Sequence, residues 1–279
     1  MSATNFTGKH VLNLAIEISL AVLVIVLVSC SPGTETSKSH QGMVFVATGE
    51  FTMGSDIGFT DEQPAHTVLL DSFWIDKTEV TNAAYSQCVQ SGTCQKPSVT
   101  THFDDPIYAN HPVVSVSWEQ ARAYCAWAKL RLPTEAEWEK AASWDPVKIE
   151  KRIYPWGDEF DCKKGNFSGS SCDTYEGTAP VGSFPSGVSA YGALDMGGNV
   201  WEWVHDAFIE SDPIIKSVSY YAVSPKSNPQ GIDPSISAYR VMRGGAWMEN
   251  FGGGRSAYRL WFGLDDSYKF AGFRCARSE

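Results

Sequence analysis

The chain has 279 residues, 43% hydrophobic and 13% aromatic, which is ample for one large core or two small ones and excludes disorder as the default. Its formal net charge of -10 excludes the basic stripe that phosphate neutralisation needs, so nucleic acid is not an expected partner. Ten Trp and 24 Gly without a long helical pattern imply an irregular, turn-rich domain with aromatics packed beneath its loops.

Residues 11–29 are apolar apart from Asn13, Glu17 and a few small polar residues, and Lys9 and His10 precede them, the layout of an export signal. The run ends in Leu27-Val28-Ser29-Cys30, which reads as a bacterial lipobox, small residues ahead of a cysteine that is acylated after cleavage. A signal anchor is the alternative, since the run approaches the length that spans a bilayer, but Glu17 at one end and Cys30 at the other favour the lipobox. Either reading puts the mature domain outside the cytoplasm, in the cell envelope, with the membrane as one partner. Residues 30–40, Ser- and Thr-rich with Pro32 and Gly33, read as a flexible tether, and 41–279 as a single domain.

Between Met43 and Ile75 apolar and polar residues alternate between turn signals, which predicts strands, one of them closed by Phe73, Trp74 and Ile75. Thr81 predicts the N-cap of a short helix running to about Val89. Ser117-Trp118-Glu119-Gln120 is a capping box, and Trp118, Ala121, Arg122, Cys125 and Ala128 follow at helical spacing. A second box, Thr134-Glu135-Ala136-Glu137, opens a third helix with Trp138 and Ala141 inward, and Pro133 keeps the two helices separate. After Ala142 no stretch longer than a few residues has helical periodicity, so long loops are expected, pinned by metal ions and disulfides.

Apart from Cys30 six cysteines remain, an even number for an oxidising compartment, and they allow fifteen pairings. Proximity favours Cys88 with Cys94 and Cys162 with Cys172, each stapling a Gly- or Ser-containing loop. Asp195, Asn199 and Glu202 surround Gly197 and Gly198, giving oxygen ligands on a backbone free to turn its carbonyls inward, as a hard cation such as calcium needs. The bland alternative is that these side chains only cap turns. His66, His102, His111 and His205 are scattered, and the chain has no Gly-x-Ser-x-Gly elbow, phosphate loop or Cys-x-x-Cys.

Several motifs occur together in one order. They are Gly42-Met43-Val44-Phe45-Val46, Phe51-Thr52-Met53-Gly54, Glu79-Val80-Thr81-Asn82, Arg131-Leu132-Pro133-Thr134-Glu135-Ala136-Glu137-Trp138-Glu139, Gly198-Asn199-Val200-Trp201-Glu202-Trp203, Arg243-Gly244-Gly245-Ala246-Trp247 and Gly272-Phe273-Arg274-Cys275. Over roughly residues 41 to 277 the chain resembles the formylglycine-generating enzyme (sulfatase-modifying factor) family. The resemblance implies an α+β fold, the family's variant of the C-type lectin-like fold, loop-rich with few helices and short twisted strands. It also implies a long-range bridge between Cys125 and Cys275. Such a bond closes a loop for which the chain-entropy model gives about 4 to 5 kcal/mol.

The resemblance further implies two calcium sites. In the first, Asp195 and Glu202 give side-chain oxygens and Gly198 and Val200 carbonyls; in the second, Asn166 and Asp173 act by side chain and Phe167 and Tyr175 by carbonyl. The family's oxidase chemistry uses two cysteine thiolates that bind Cu(I), a soft ion suited to thiolate. Those positions map to Glu249 and Gly254, and the family's assisting serine is Ala246 here, so neither copper nor cysteine oxidation is expected. A related branch, the iron-dependent sulfoxide synthases, takes a histidine triad from an added helical domain that this chain lacks. Arg243, Trp247, Arg255 and Arg259, with Tyr258 and Trp261, lie near where active members bind their peptide substrate. They form either a recognition surface or a cation-π network that stiffens the Gly-rich loop. The expected function is a lipid-anchored, calcium-stabilised binding or accessory module for an unknown protein, peptide or glycan. The competing class is an enzyme, an unconventional formylglycine-generating oxidase or a maturation factor acting on a secreted product.

Overall fold

The computed structural model describes residues 42–169, 172, 175–209, 219–231, 237–250 and 252–279. The apolar run, Cys30 and the tether lie outside the described residues, and so does Asp173. The alternating segment forms β1 (Met43–Val46), β2 (Gly49–Met53), β3 (His66–Leu70) and β4 (Phe73–Asp76). β2 and β3 pair as an antiparallel hairpin, and their alternate residues Phe51, Met53, Val68 and Leu70 turn inward. Three helices follow. They are α1 (Asn82–Gln90), capped by the Thr81 hydroxyl accepting from the Ala84 N–H; α2 (Trp118–Trp127), with the Ser117–Gln120 capping box; and α3 (Glu135–Ser143), with the Thr134–Glu137 box. Each starts where a local side chain satisfies the first free N–H groups, so the caps set the boundaries.

α3 departs from the sequence expectation of an inner and an outer side. All nine of its residues are buried, charged Glu135, Glu139 and Lys140 included. A hairpin of β5 (Trp144–Asp145) and β6 (Glu150–Lys151) follows it. The long region after Ala142 also holds more strand than expected: β7 (Trp201–Ala207), β8 (Tyr239–Arg243), β9 (Arg259–Gly263), β10 (Ala271–Phe273) and β11 (Ala276–Ser278), besides the short helix α4 (Tyr220–Val223). β7 is buried on both faces and therefore shows no alternation. β10, β7, β8 and β9 form one sheet in that order, with β10 parallel to β7 and the other pairs antiparallel. β1, β4 and β11 form a second sheet, antiparallel throughout.

α3 lies between the two sheets and the β2–β3 hairpin, and Trp138, Ala141 and Ala142 join the core of Val46, Phe51, Val68, Phe73 and Ile75. A second core gathers Tyr85, Trp118, Tyr124, Trp201, Trp203 and Phe273 beneath α1 and α2. The chain carries disulfides Cys88–Cys94, Cys125–Cys275 and Cys162–Cys172. Among the described residues no helix is long and apolar enough to cross a membrane.

Candidate functional site

The Asp195–Asn199 turn delivers the chain into β7. Asp195 and Asn199 both adopt positive φ (57° and 67°), a region that Asp and Asn tolerate better than other non-glycine residues. Between them Gly198 has φ +94°, and a Cβ there would stand 2.7 Å from the Asn166 carbonyl oxygen. Only glycine lets the two segments meet this closely. The Asn199 N–H donates to that Asn166 oxygen at 3.0 Å, and the Asn166 Nδ2 donates to Asn199 Oδ1 at 3.2 Å. The two candidate cation sites are thus joined through one amide pair.

Sequence reasoning missed Glu79, which stands 2% exposed beside this turn. The Asn199 Nδ2 donates to its Oε1 at 2.8 Å, while Oε2 has no hydrogen-bond partner among the described residues. Burial, then the neighbouring charge of Asp195, pushes Glu79 well above the usual carboxylate range. Burial likewise raises Asp195, against the Gly182 N–H that donates to its Oδ2 at 2.6 Å. Two adjacent buried carboxylates need a shared proton or a cation between them. Glu202 is committed differently: Arg274 holds it bidentately, Nε to Oε2 and Nη2 to Oε1 both at 2.6 Å, and Trp138 Nε1 donates to Oε2 at 2.8 Å. Neither Glu202 nor Arg274 is exposed.

Among the described residues no three His, Cys, Asp or Glu side chains converge as a metal-binding group. The orphaned Glu79 oxygen beside Asp195 nevertheless fits a hard cation, because the donors are all oxygens and carry excess negative charge. The fit rests on Glu79 and Asp195 more than on Glu202, whose charge Arg274 already balances. In the second site Asn166 and Phe167 are each 1% exposed, whereas Tyr175 is exposed.

The positions of the family's copper cysteines lie next to this turn. Glu249 is half-buried, its N–H donates to the Ala246 carbonyl at 2.8 Å, and its carbonyl accepts from the Ser168 N–H at 2.8 Å. Trp201 Nε1 approaches its Oε1 at 3.5 Å, and the Tyr258 ring meets Trp201 edge-on at 5.3 Å. Gly254 is covered by the Phe167 ring: a Cβ at 254 would stand 2.6 Å from the ring's ζ carbon. Ala246 is fully buried.

Of the four candidate ligand-binding residues, Arg243 and Arg259 are buried and Arg255 and Trp247 are half-buried. Arg243 is fully buried, its Nη2 2.5 Å from Glu139 Oε2 and its Nη1 3.2 Å from Glu135 Oε1, and it also donates to the carbonyls of Ser256 and Ala257. Arg259 grips Glu135 at 2.7 and 2.9 Å. Arg255 grips Glu62 at 2.6 and 2.5 Å and lies over Phe59 and Tyr258. These arginines tie β8, β9 and the Gly-rich loop to α3 and to the loop at residues 59–62, the contacts that the stiffening alternative calls for. Trp247 faces an open cleft of about 660 Å³, lined also by His102, Ser168, Tyr175, Glu176 and Lys269, with Lys269 Nζ 5.5 Å from its ring centre, and Arg255 lines a smaller cleft of about 200 Å³ with Thr52, Asp56 and Lys151. The histidines are dispersed except for His102 and His111, which contact the same Tyr108 ring: His66 lies against Tyr221, His102 stacks on Tyr108, His111 meets that ring edge-on and bonds Thr178, and His205 lies near Trp118.

Comparison with known proteins bears on this geometry. The family model described as Sulfatase-modifying factor enzyme 1-like domain matches residues 29–279. The chain is 36% identical to the serine/threonine-protein kinase Pkn1 of Chlamydia trachomatis over 84% of its own length but 38% of the kinase, so it spans about two fifths of that relative. It is 35% identical to the formylglycine-generating enzyme of Streptomyces coelicolor over 86% of this chain and 90% of that enzyme. PvdO from Pseudomonas aeruginosa superposes with a TM-score of 0.68 at 28% identity, covering 85% of this chain and 94% of PvdO.

Proposed function

This chain belongs to the sulfatase-modifying factor enzyme family, and from that premise we propose that it is a lipid-anchored, extracytoplasmic binding or accessory domain that does not oxidise cysteine. One observation carries the reading. Where the family's chemistry calls for two thiolates, this chain has a carboxylate against Trp201 and a glycine covered by the Phe167 ring. A carboxylate is a hard ligand and a glycine is none, so the pair offers no soft site for Cu(I). All six cysteines among the described residues are bridged, and none supplies a substitute thiolate.

Glu79 and Asp195, with the carbonyls of Gly198 and Val200, would hold a calcium ion, and Asn166, Phe167, Asp173 and Tyr175 a second. Such an ion supplies charge neutralisation and loop pinning, not a reaction step. The lipid anchor rests on the apolar run that ends in Ser29-Cys30. The partner, a protein, peptide or glycan, would be met at the cleft beside Trp247, where an aromatic face lies among His102, Glu176 and Lys269.

The test combines two measurements. Mass spectrometry of the mature N-terminus should find acylated Cys30; an intact 1–29 segment or an unmodified Ser31 start removes the anchor. Incubation of the mature domain with Cu(I), oxygen and a cysteine-containing sulfatase peptide should yield no formylglycine. Turnover would restore the oxidase reading, in which the domain matures a secreted protein.

A further inference from the structure

The three disulfides sit in very different surroundings. Cys88 and Cys94 are 0% and 7% exposed beneath α1, and Cys125 and Cys275 are both 0% exposed, joining α2 to the segment between β10 and β11. Cys162 and Cys172 are half-buried, at the two ends of a loop on the protein's surface, where Lys163 and Ser168 are exposed. Thiol–disulfide exchange requires a thiolate to reach one sulfur directly, so access decides which bridge reacts first. Two of the three lie at buried residues, no more than 7% exposed.

The more exposed bridge closes the loop that carries Phe167. Within it Asn166 and Phe167 are each 1% exposed, although the ends are not. The Phe167 ring fills the space beside three glycines; a Cβ on Gly165, Gly198 or Gly254 would stand 2.5, 2.9 or 2.6 Å from its atoms. Trp156 and Phe160 flank it edge-on, with ring centres 6.2 and 5.4 Å away. Two backbone bonds tie the loop inward, Ser168 N–H to the Glu249 carbonyl at 2.8 Å and Asn199 N–H to the Asn166 carbonyl at 3.0 Å. The loop that packs Phe167 against Gly254 is therefore stapled at its only described covalent cross-link by the most exposed of the three bridges.

We propose that Cys162–Cys172 is a selectively reducible bridge, a thiol–disulfide exchange site for a dithiol reductant, and that its reduction loosens Phe167 from Gly254. A thiolate of the dithiol attacks one bridge sulfur, forming a mixed disulfide and releasing the other cysteine as a thiol. The second thiol of the reductant then attacks its own partner sulfur, so the reductant leaves as a disulfide. Two electrons and two protons pass to Cys162 and Cys172. The staple shortens the list of open conformations available to a ten-residue separation, and on the chain-entropy model its loss favours loop opening by up to about 100-fold.

The experiment treats the intact chain with a limiting dithiol, alkylates free thiols, and maps them by peptide mass spectrometry alongside hydrogen exchange. Alkylation is expected at Cys162 and Cys172 while the other four cysteines remain bridged. Exchange at the Ser168 and Asn199 amides should rise about 10- to 100-fold, with the Val241 and Met242 amides of β8 unchanged. The paired substitution Cys162→Ser with Cys172→Ser should reproduce that exchange pattern without any reductant. Simultaneous or earlier reduction of Cys88–Cys94 or Cys125–Cys275 overturns the selectivity. Unchanged exchange at Ser168 in both the reduced protein and the serine variant overturns the link to Phe167.

Discussion

Phe167 lies so close against Gly254 that any side chain at 254 must displace its ring, since a Cβ would stand 2.6 Å from the ζ carbon and 2.7 Å from an ε carbon. A side chain at 254 and the ring in its present place therefore exclude each other. Restoring the thiolate pair alone, by Glu249→Cys with Gly254→Cys, should lower stability by about 1 to 3 kcal/mol through overpacking and give no Cu(I) site. Adding Phe167→Ala makes room, and the triple variant should bind Cu(I) in competition with a chromophoric chelator. Tight Cu(I) binding by the double variant would show that the ring does not hold its place.

The buried arginines give a second prediction. Arg243→Ala leaves unexposed Glu139 on α3 with Lys151 as its one remaining ion-pair partner among the described residues, strips the Ser256 and Ala257 carbonyls of a buried donor, and should cost about 3 to 5 kcal/mol in denaturant unfolding. Lys269→Ala, which removes only a cation above the Trp247 ring, should stay within about 0.5 kcal/mol of wild type. Equal midpoints for Arg243→Ala and wild type would return Arg243 to the surface role that its sequence neighbourhood implied.

The contrast between those arginines and the helices shows which features the sequence carries. The boundaries of α1, α2 and α3 were legible because a cap is a contact over three residues, as between Ser117 and Gln120. Cys88–Cys94 and Cys162–Cys172 were legible for the same reason. Arg243 reads as a recognition residue until its partners are known, and Glu135 and Glu139 lie 108 and 104 residues away. Glu79 opens the Glu79-Val80-Thr81-Asn82 motif, but its role depends on Asn199, 120 residues on. β7 was missed because burial on both faces erases the alternation that marks a strand.

Calcium should act through Glu79 and Asp195 and not chiefly through Glu202. Saturating calcium at about 100 times its dissociation constant would stabilise the fold by about 2.7 kcal/mol. Glu79→Gln and Asp195→Asn should each abolish that increment in melting temperature while relieving the repulsion between the pair in the ion's absence. Glu202→Gln should behave otherwise, lowering stability by about 3 to 5 kcal/mol with or without calcium, because Arg274 loses its counter-charge. A melting temperature unmoved by chelator in the wild type removes the site.

Asp76 provides a pH test separate from the candidate cation ligands. Its Oδ2 accepts from the Cys275 N–H at 2.9 Å. Burial pushes its pKa up to about 6, with a smaller raising effect from Glu202, against the lowering effects of the Cys275 N–H and Arg274. In the unfolded chain the group titrates near the ordinary value of about 3.9. The native state therefore holds more protons between about pH 4 and 6, so the stability from this group is full below about pH 4 and is lost as pH rises through about 6. Asp76→Asn keeps an oxygen acceptor for the Cys275 N–H and carries no charge to desolvate. The variant should match wild type at pH 4 and exceed it by about 1 to 2 kcal/mol at pH 7.5, with the difference opening between those limits. Urea unfolding of both proteins across that range measures the difference directly, and an offset that stays constant with pH would mean that Asp76 does not titrate there.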